Sequence, residues 1–398
     1  MVVLVVVAAR WVLDDDSGSS DREAPKGAAF YEPSAKEVAA GKHGSVIWSR
    51  PITTKEAGAG SARLVLYRST SETGETVPVS GVVTVPEGTP PKGGWPVVSW
   101  GHGTTGTADA CAPSRASLDD SAAYAPVTED PTAVLVEQGY AVVRTDYEGL
   151  GTPGPHPYLM GQSSGAGMTD IVLAARELEP DLSRRWLAIG HSQGAHAALF
   201  TSRFTGAYTP DLDLVGIVAL APPSQLGPVV EMLGKPEQPG TKESGPVDRT
   251  MGSSIFLGPL VVAAARAADV PVEDVLSPKG RALLPHLEQR CLEGLAGQDS
   301  LGGIPPREFV AKGADLSRVS PVVETNDPGS LKPTVPLMIV QGGRDTAVPA
   351  TLTDRLDEQL ESRGADVDYV SLPTADHMTV LGQSERRVSA WVEEAFGG

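Results

Sequence analysis

The sequence predicts an α/β fold: a mostly parallel sheet with crossover helices, antiparallel strands near the amino terminus and a helical insertion late in the chain. Three observations carry this prediction. Short apolar runs at residues 95–100, 140–145, 186–189, 212–220 and 335–340 alternate with helix-compatible stretches, the rhythm of parallel strands joined by helices. Alternating apolar residues over 62–69 and 76–85, separated by Ser71-Glu72-Thr73-Gly74, read as an antiparallel hairpin. From 222 to about 334 no strand-like run intervenes, so those residues must form a separate layer rather than a loop.

Taken in order, residues 1–9 are apolar but too short to span a bilayer and lack a positive flank. They read either as the remnant of a secretion signal or as a buried first strand. Residues 14–27, rich in Ser, Asp and Gly, then serve as a linker. Helices are expected at 131–138, 168–178, 193–204, 350–363 and 384–396, between or after the strands. Within the insertion, 255–268, 270–284 and 286–295 are helix-compatible, with Gly and Pro punctuating the rest. The expected division is 1–27 as signal remnant and linker, 28–221 with 335–398 as the sheet domain, and 222–334 as a helical cap.

Composition narrows the function. The 398 residues are 40% hydrophobic, ample for a large core. A formal charge of −18 repels nucleic acid and anionic membranes. Asp14-Asp15-Asp16 is a solvated run rather than a metal site. Cys111 and Cys291 sit at no metal-ligand spacing, so no metal is expected. Whether they pair depends on the redox compartment.

The chemistry centres on Gly190-His191-Ser192-Gln193-Gly194. An apolar strand precedes it and a helix follows, the strand-turn-helix setting in which G-x-S-x-G presents a nucleophilic serine. A serine hydroxyl needs a histidine to accept its proton and an acid to orient that histidine. Asp345 follows the strand at 336–340 in Gln341-Gly342-Gly343-Arg344-Asp345, and is the expected acid. His377 follows the strand at 367–372 and is the expected base. Asp376 is the weaker choice of acid, since neighbouring side chains seldom face one another. His43, His196 and His286 read as solvated or capping residues, and His156 as loop structure. His191 and Gln193 lie inside the motif without carrying protons.

The oxyanion of an acyl-transfer intermediate needs preorganised donors. The Gln193 amide supplies one, and Thr104 or Thr105 in Trp100-Gly101-His102-Gly103-Thr104-Thr105-Gly106 supplies the other. This glycine-rich loop lacks the Gly-Lys-Ser/Thr ending of a phosphate cradle. His102 is expected to shape the loop.

With Ser192, Asp345 and His377 in that chain order, the sequence resembles the α/β-hydrolases from about Ala62 onward. The segments around Val97–Thr104, Cys111-Ala112-Pro113-Ser114, Asp146-Tyr147-Glu148-Gly149 and Gly190–Gly194 resemble the secretory lipase family. The resemblance implies a cap over the site, hydrolysis of carboxylic esters including lipids, transient contact with a lipid interface, no cofactor, and export to the medium or cell envelope. Fungal members carry an Asp near the position of Thr105, so the threonine departs from the pattern and leaves open whether its hydroxyl or only backbone donates. Asp146 and Tyr147 are expected to shape the floor of the acyl pocket, and the stretch 255–268 to form a lid. A serine peptidase or acyltransferase of the same fold, or a non-catalytic ligand-binding relative, are the alternative readings.

Overall fold

Strands whose residues are apolar on both faces need cover on both faces, and that requirement organises the molecule. Among the described residues nine strands form one sheet in the order β1-β2-β3-β5-β4-β6-β7-β8-β9. They are β1 (Val46–Ile52), β2 (Ser61–Thr70), β3 (Thr76–Val85), β4 (Trp95–Gly101), β5 (Ala141–Thr145), β6 (Leu182–His191), β7 (Asp213–Leu220), β8 (Leu337–Gly342) and β9 (Val367–Leu372). From β5 through β9 every pairing is parallel, while β1, β2, β3 and β5 pair antiparallel. The computed structural model describes residues 24–58, 60–117, 125–234 and 253–397. The apolar segment 1–9, the acidic run at 14–16 and the linker as far as residue 23 lie outside the described residues.

Successive residues of β4 point to opposite faces, and the core divides accordingly. Val97 joins Val143, Ala188, Ile217 and Ile339 under the helices Gly161–Leu178, Gln193–Phe200 and Ala350–Ser362. Val98 joins Val142, Leu187, Val218 and Met338 under Ala125–Glu137 and Thr379–Ala395. A third apolar cluster fills the insertion, where Leu226, Val230, Leu257, Leu260, Phe309, Val319 and Val323 pack together with Tyr158, Leu159 and Met160. Between β7 and β8 the described residues contribute helices and no strand to the sheet. Among the described residues no helix is long and apolar enough to cross a membrane.

Several expected elements differ in extent. The hairpin β2–β3 is not the sheet edge, because β1 lies outside it. The β1 sequence, Val-Ile-Trp-Ser-Arg-Pro-Ile, is interrupted by Ser49 and Arg50 and contains Pro51, which an edge strand tolerates because one row of its amides needs no partner. In the insertion the chain breaks at Ser277, not near residue 285. Ser277 caps the helix Pro278–Gln289 by accepting from the Gly280 amide at 3.0 Å, and Pro278 occupies its first turn. The helix then continues through Pro285. The helix after Ser192 ends at Phe200 and passes into a 3₁₀ turn, Thr201–Arg203.

The helix expected at 168–178 begins seven residues earlier, at Gly161. Gly161, Gly165 and Gly167 make this first half look like a loop, but the glycines are there for contact. A Cβ on Gly161 would lie 2.2 Å from the Phe200 ring, and one on Gly165 would lie 2.8 Å from the Phe200 backbone. This close approach lets the helix seat against Gln193–Phe200 and so braces the residues after Ser192. In an open helix Gly→Ala stabilises by about 1 kcal/mol. Here Gly165→Ala is expected to lower the midpoint of chemical unfolding, because the contact is with backbone that cannot rotate away; a raised midpoint would contradict the packing.

Candidate active site

Ser192 is the single residue between β6 and the helix Gln193–Phe200. Its backbone has φ 55° and ψ −117°, a conformation costing a non-glycine residue about 1–3 kcal/mol. The surroundings enforce it. A Cβ at Gly190 would lie 2.0 Å from the Gly194 carbonyl oxygen, and one at Gly194 would lie 1.9 Å from the Gly101 carbonyl oxygen. Only glycine at both positions lets β4, β6 and the helix meet this closely. The Ser192 amide donates to Leu220 O at 2.9 Å, and its carbonyl accepts from the His196 amide at 3.1 Å. Strain at the serine is thus held by backbone on both sides.

The loops after β8 and β9 bring Asp345 and His377 together. His377 Nδ1–H donates to Asp345 Oδ2 at 2.7 Å, which leaves Nε2 as the ring's acceptor. Asp345 is buried and accepts from the amides of Ala347 and Val348, each at 2.8 Å, and from Gln341 Nε2 at 3.3 Å. Gln341 is fixed in turn by Val348 O and the Thr353 hydroxyl. Gly342 and Gly343 allow the two loops to touch: a Cβ at either would lie within 2.6 or 2.9 Å of the Pro373–Ala375 backbone. His191 then ties this pair to the serine, because its Nε2–H donates to His377 O at 2.8 Å and the two rings lie 4.7 Å apart.

Asp376, the rejected acid, faces away from this pair. Its carboxylate accepts from the Met378 and Thr379 amides and the Thr379 hydroxyl at the start of Thr379–Ala395. Those hydrogen bonds hold its pKa below the usual carboxylate range.

The other histidines near the serine are fixed and neutral. Burial pushes His191 down to about 3, with His377 adding to the effect, and pushes His156 down to about 4. His156 Nδ1–H donates to Glu148 O at 2.7 Å, so its Nε2 accepts from the Gln193 side-chain amide at 2.8 Å. That bond orients the residue following the nucleophile and leaves Gln193 Oε1 buried without a partner. His102 Nδ1–H donates to Gly103 O at 2.7 Å, and Tyr147 OH donates to His102 O at 3.0 Å. His196 is fully buried rather than solvated, with Nε2–H donating to Asn326 O at 2.7 Å. His43 is bound to Asp170 at 2.7 Å and stacked on Tyr208, and His286 meets the Ser300 hydroxyl.

The two threonines of the glycine-rich loop differ. Thr104 Oγ1 bonds Tyr158 OH at 2.7 Å, whereas Thr105 Oγ1 is buried with no partner. Tyr158 carried no signal in the sequence, since it lies in an irregular segment after Pro155-His156-Pro157. Asp146 is a tether rather than pocket floor: it accepts from Ser80 Oγ, Ser114 Oγ and the Ser114 amide. Tyr147 stays at the site, its ring 4.5 Å from that of His102.

A cavity of about 460 Å³ opens beside this shell. Its walls include His156, Asp109 and Thr107 from the sheet domain and Val262, Leu284 and Leu287 from the insertion. Cys111 and Cys291 form a disulfide between the two parts, with Cα atoms 5.4 Å apart. Among the described residues no group of three or more His, Cys, Asp or Glu side chains could hold a metal ion.

Comparison with known proteins agrees with this architecture. The secretory lipase family matches residues 130–243. Candida antarctica lipase A, in its closed state, superposes with a TM-score of 0.75 at 20% identity, covering 94% of this chain and 87% of that one. The chain has the fold of the lipase α/β-hydrolases. The rice cell wall degrading esterase LipA from Xanthomonas oryzae is similar in fold, with a TM-score of 0.69 at 20% identity over 89% of this chain and 98% of that one. A protein of Mycobacterium tuberculosis described as a probable inactive lipase is 26% identical over 85% of this chain and 74% of its own length.

If Asp376 only caps the last helix, Asp376→Ala should lower the thermal unfolding midpoint while leaving any turnover of a chromogenic ester intact. Loss of turnover in a folded variant would return Asp376 to the site.

Proposed function

We propose that this hydrolase cleaves carboxylic esters through an acyl-enzyme on Ser192. The observation that carries the reading is the pairing of His377 with the buried Asp345, which leaves an acceptor nitrogen on a ring tied through His191 to the turn that holds Ser192 at positive φ. His377 Nε2 takes the Ser192 proton as the hydroxyl oxygen attacks the carbonyl carbon. Asp345 stays ionised and stabilises the imidazolium, which then protonates the departing alkoxide. Water repeats the sequence with His377 as base and frees the acid. The Gln193 amide, first in its helix, has no intrahelical acceptor and faces charge developing at the positive end of the helix dipole.

For the second oxyanion donor we assign Thr105 rather than Thr104. Thr104 already bonds Tyr158, whereas the Thr105 hydroxyl is buried and unpaired, a state that costs free energy unless a ligand uses it.

The substrate is an ester with an apolar acyl group, received by the cavity between the sheet domain and the insertion at 222–334, which we read as a cap. Val262, Leu284 and Leu287 give that cavity an apolar wall, while Arg266 and Glu288 border it with charge. Export is supported by the disulfide, which persists in oxidising compartments. A non-catalytic reading is favoured only by the description of the Mycobacterium relative.

The test is hydrolysis of p-nitrophenyl esters of graded chain length. Ser192→Ala should abolish turnover, and Asp345→Asn should cost about 10,000-fold in kcat by misorienting His377. Equal slow turnover by wild type and Ser192→Ala would favour the non-catalytic relative. Thr105→Val should lower kcat by about 100-fold or more, and Thr104→Val by less; the reverse order would move the donor to Thr104. Leu287→Trp should shift the preferred ester towards shorter acyl chains, and an unchanged chain-length profile would place the acyl group elsewhere.

A further inference from the structure

The loop that carries Thr105 leans on the insertion. Thr105 O accepts from the Leu292 amide at 2.8 Å, and Gly106 forms an isolated antiparallel bridge with Cys291. One residue on, Thr107 Oγ1 donates to Leu287 O at 2.6 Å. The segment that receives these bonds, residues 287–292, is joined to the sheet domain by the disulfide from Cys291 to Cys111. Cys111 is itself buried in the main core beside Ala108, Ala112, Tyr147 and Leu150. Gly106 has φ +130°, and a Cβ there would lie 2.8 Å from Cys111 Sγ and 2.9 Å from Cys291 Cα. The loop backbone therefore rests on the disulfide itself.

We infer that the Cys111–Cys291 disulfide is a positioning element for the oxyanion loop, fixing Thr105 relative to Ser192 by clamping Cys291 against Gly106, so that turnover depends on the oxidised pair. The inference rests on the donor role proposed for Thr105. A disulfide that only constrained the unfolded chain would change stability and leave turnover alone at temperatures well below unfolding. One that positions a donor changes kcat more than KM, because the donor meets its full charge only in the transition state.

The experiment compares wild type, Cys111→Ala/Cys291→Ala and Gly106→Ala, each well below its own unfolding midpoint. Gly106→Ala keeps the disulfide but pushes the loop off it, and serves if the double variant does not fold. Four quantities are read: kcat and KM for p-nitrophenyl butyrate, Ki of an alkylboronic acid that forms a tetrahedral adduct, and amide hydrogen exchange over 103–107 and 190–196. Both variants should lose about 100-fold in kcat, the effect of a misplacement near 1 Å. KM should change little, Ki should rise in step with the fall in kcat/KM, and exchange should quicken over 103–107 but not over 190–196. A lower unfolding midpoint with kcat, Ki and exchange over 103–107 all unchanged would overturn the inference. If wild type hydrolyses no ester, the proposed function falls while exchange over 103–107 still decides whether the disulfide anchors the loop.

Discussion

The approach of Gly194 to the Gly101 carbonyl, too close for any Cβ, sets the distance between the helix after Ser192 and the end of β4. Everything at the site is referred to that distance. It obliges the chain to turn within one residue, which puts Ser192 at positive φ and presents its hydroxyl beyond the ends of the parallel strands. It also fixes where the glycine-rich loop leaves β4, and with it the start of the segment that carries Thr104 and Thr105. The glycines of the helix Gly161–Leu178 do the same work one layer out, because they let that helix press against Phe200. Substitutions along this line act on the nucleophile through backbone rather than through side-chain chemistry.

Around the strained turn lies a shell whose protonation is settled by burial. His156 and His191 stay neutral at physiological pH and spend their ring nitrogens on defined partners, Gln193 and Glu148 in one case and His377 O in the other. Such residues hold geometry without competing for the serine proton. Asp345, by contrast, keeps three donors on its carboxylate, which fix it against the His377 ring. On the other side, residues 287–292 of the insertion bond the glycine-rich loop at Thr105 and Thr107, next to the Cys111–Cys291 disulfide.

Much of this was legible in the sequence, for identifiable reasons. The parallel strands could be read because burial on both faces demands continuous apolar runs, and Ser192, Asp345 and His377 because each follows such a run. What escaped reading was decided by tertiary contact. Pro51 hid the edge strand β1, whose outer amides need no partner. Gly161 and Gly165 looked like loop because the contact that requires them, with Phe200, is remote in sequence. Thr104 and Thr105 are indistinguishable until Tyr158 takes one of them. Gln341 and Tyr158 sit where no period or motif marks them, and the break at Ser277 was masked by helix-compatible residues on either side.

If Ser192 is the nucleophile, it and no other residue becomes covalently acylated. A fluorophosphonate probe followed by peptide mass spectrometry tests it most directly. One phosphonyl group per chain is expected, on the peptide containing Gly190-His191-Ser192-Gln193-Gly194, and none in Ser192→Ala. Stoichiometric labelling of another residue, or equal labelling of Ser192→Ala, would contradict it.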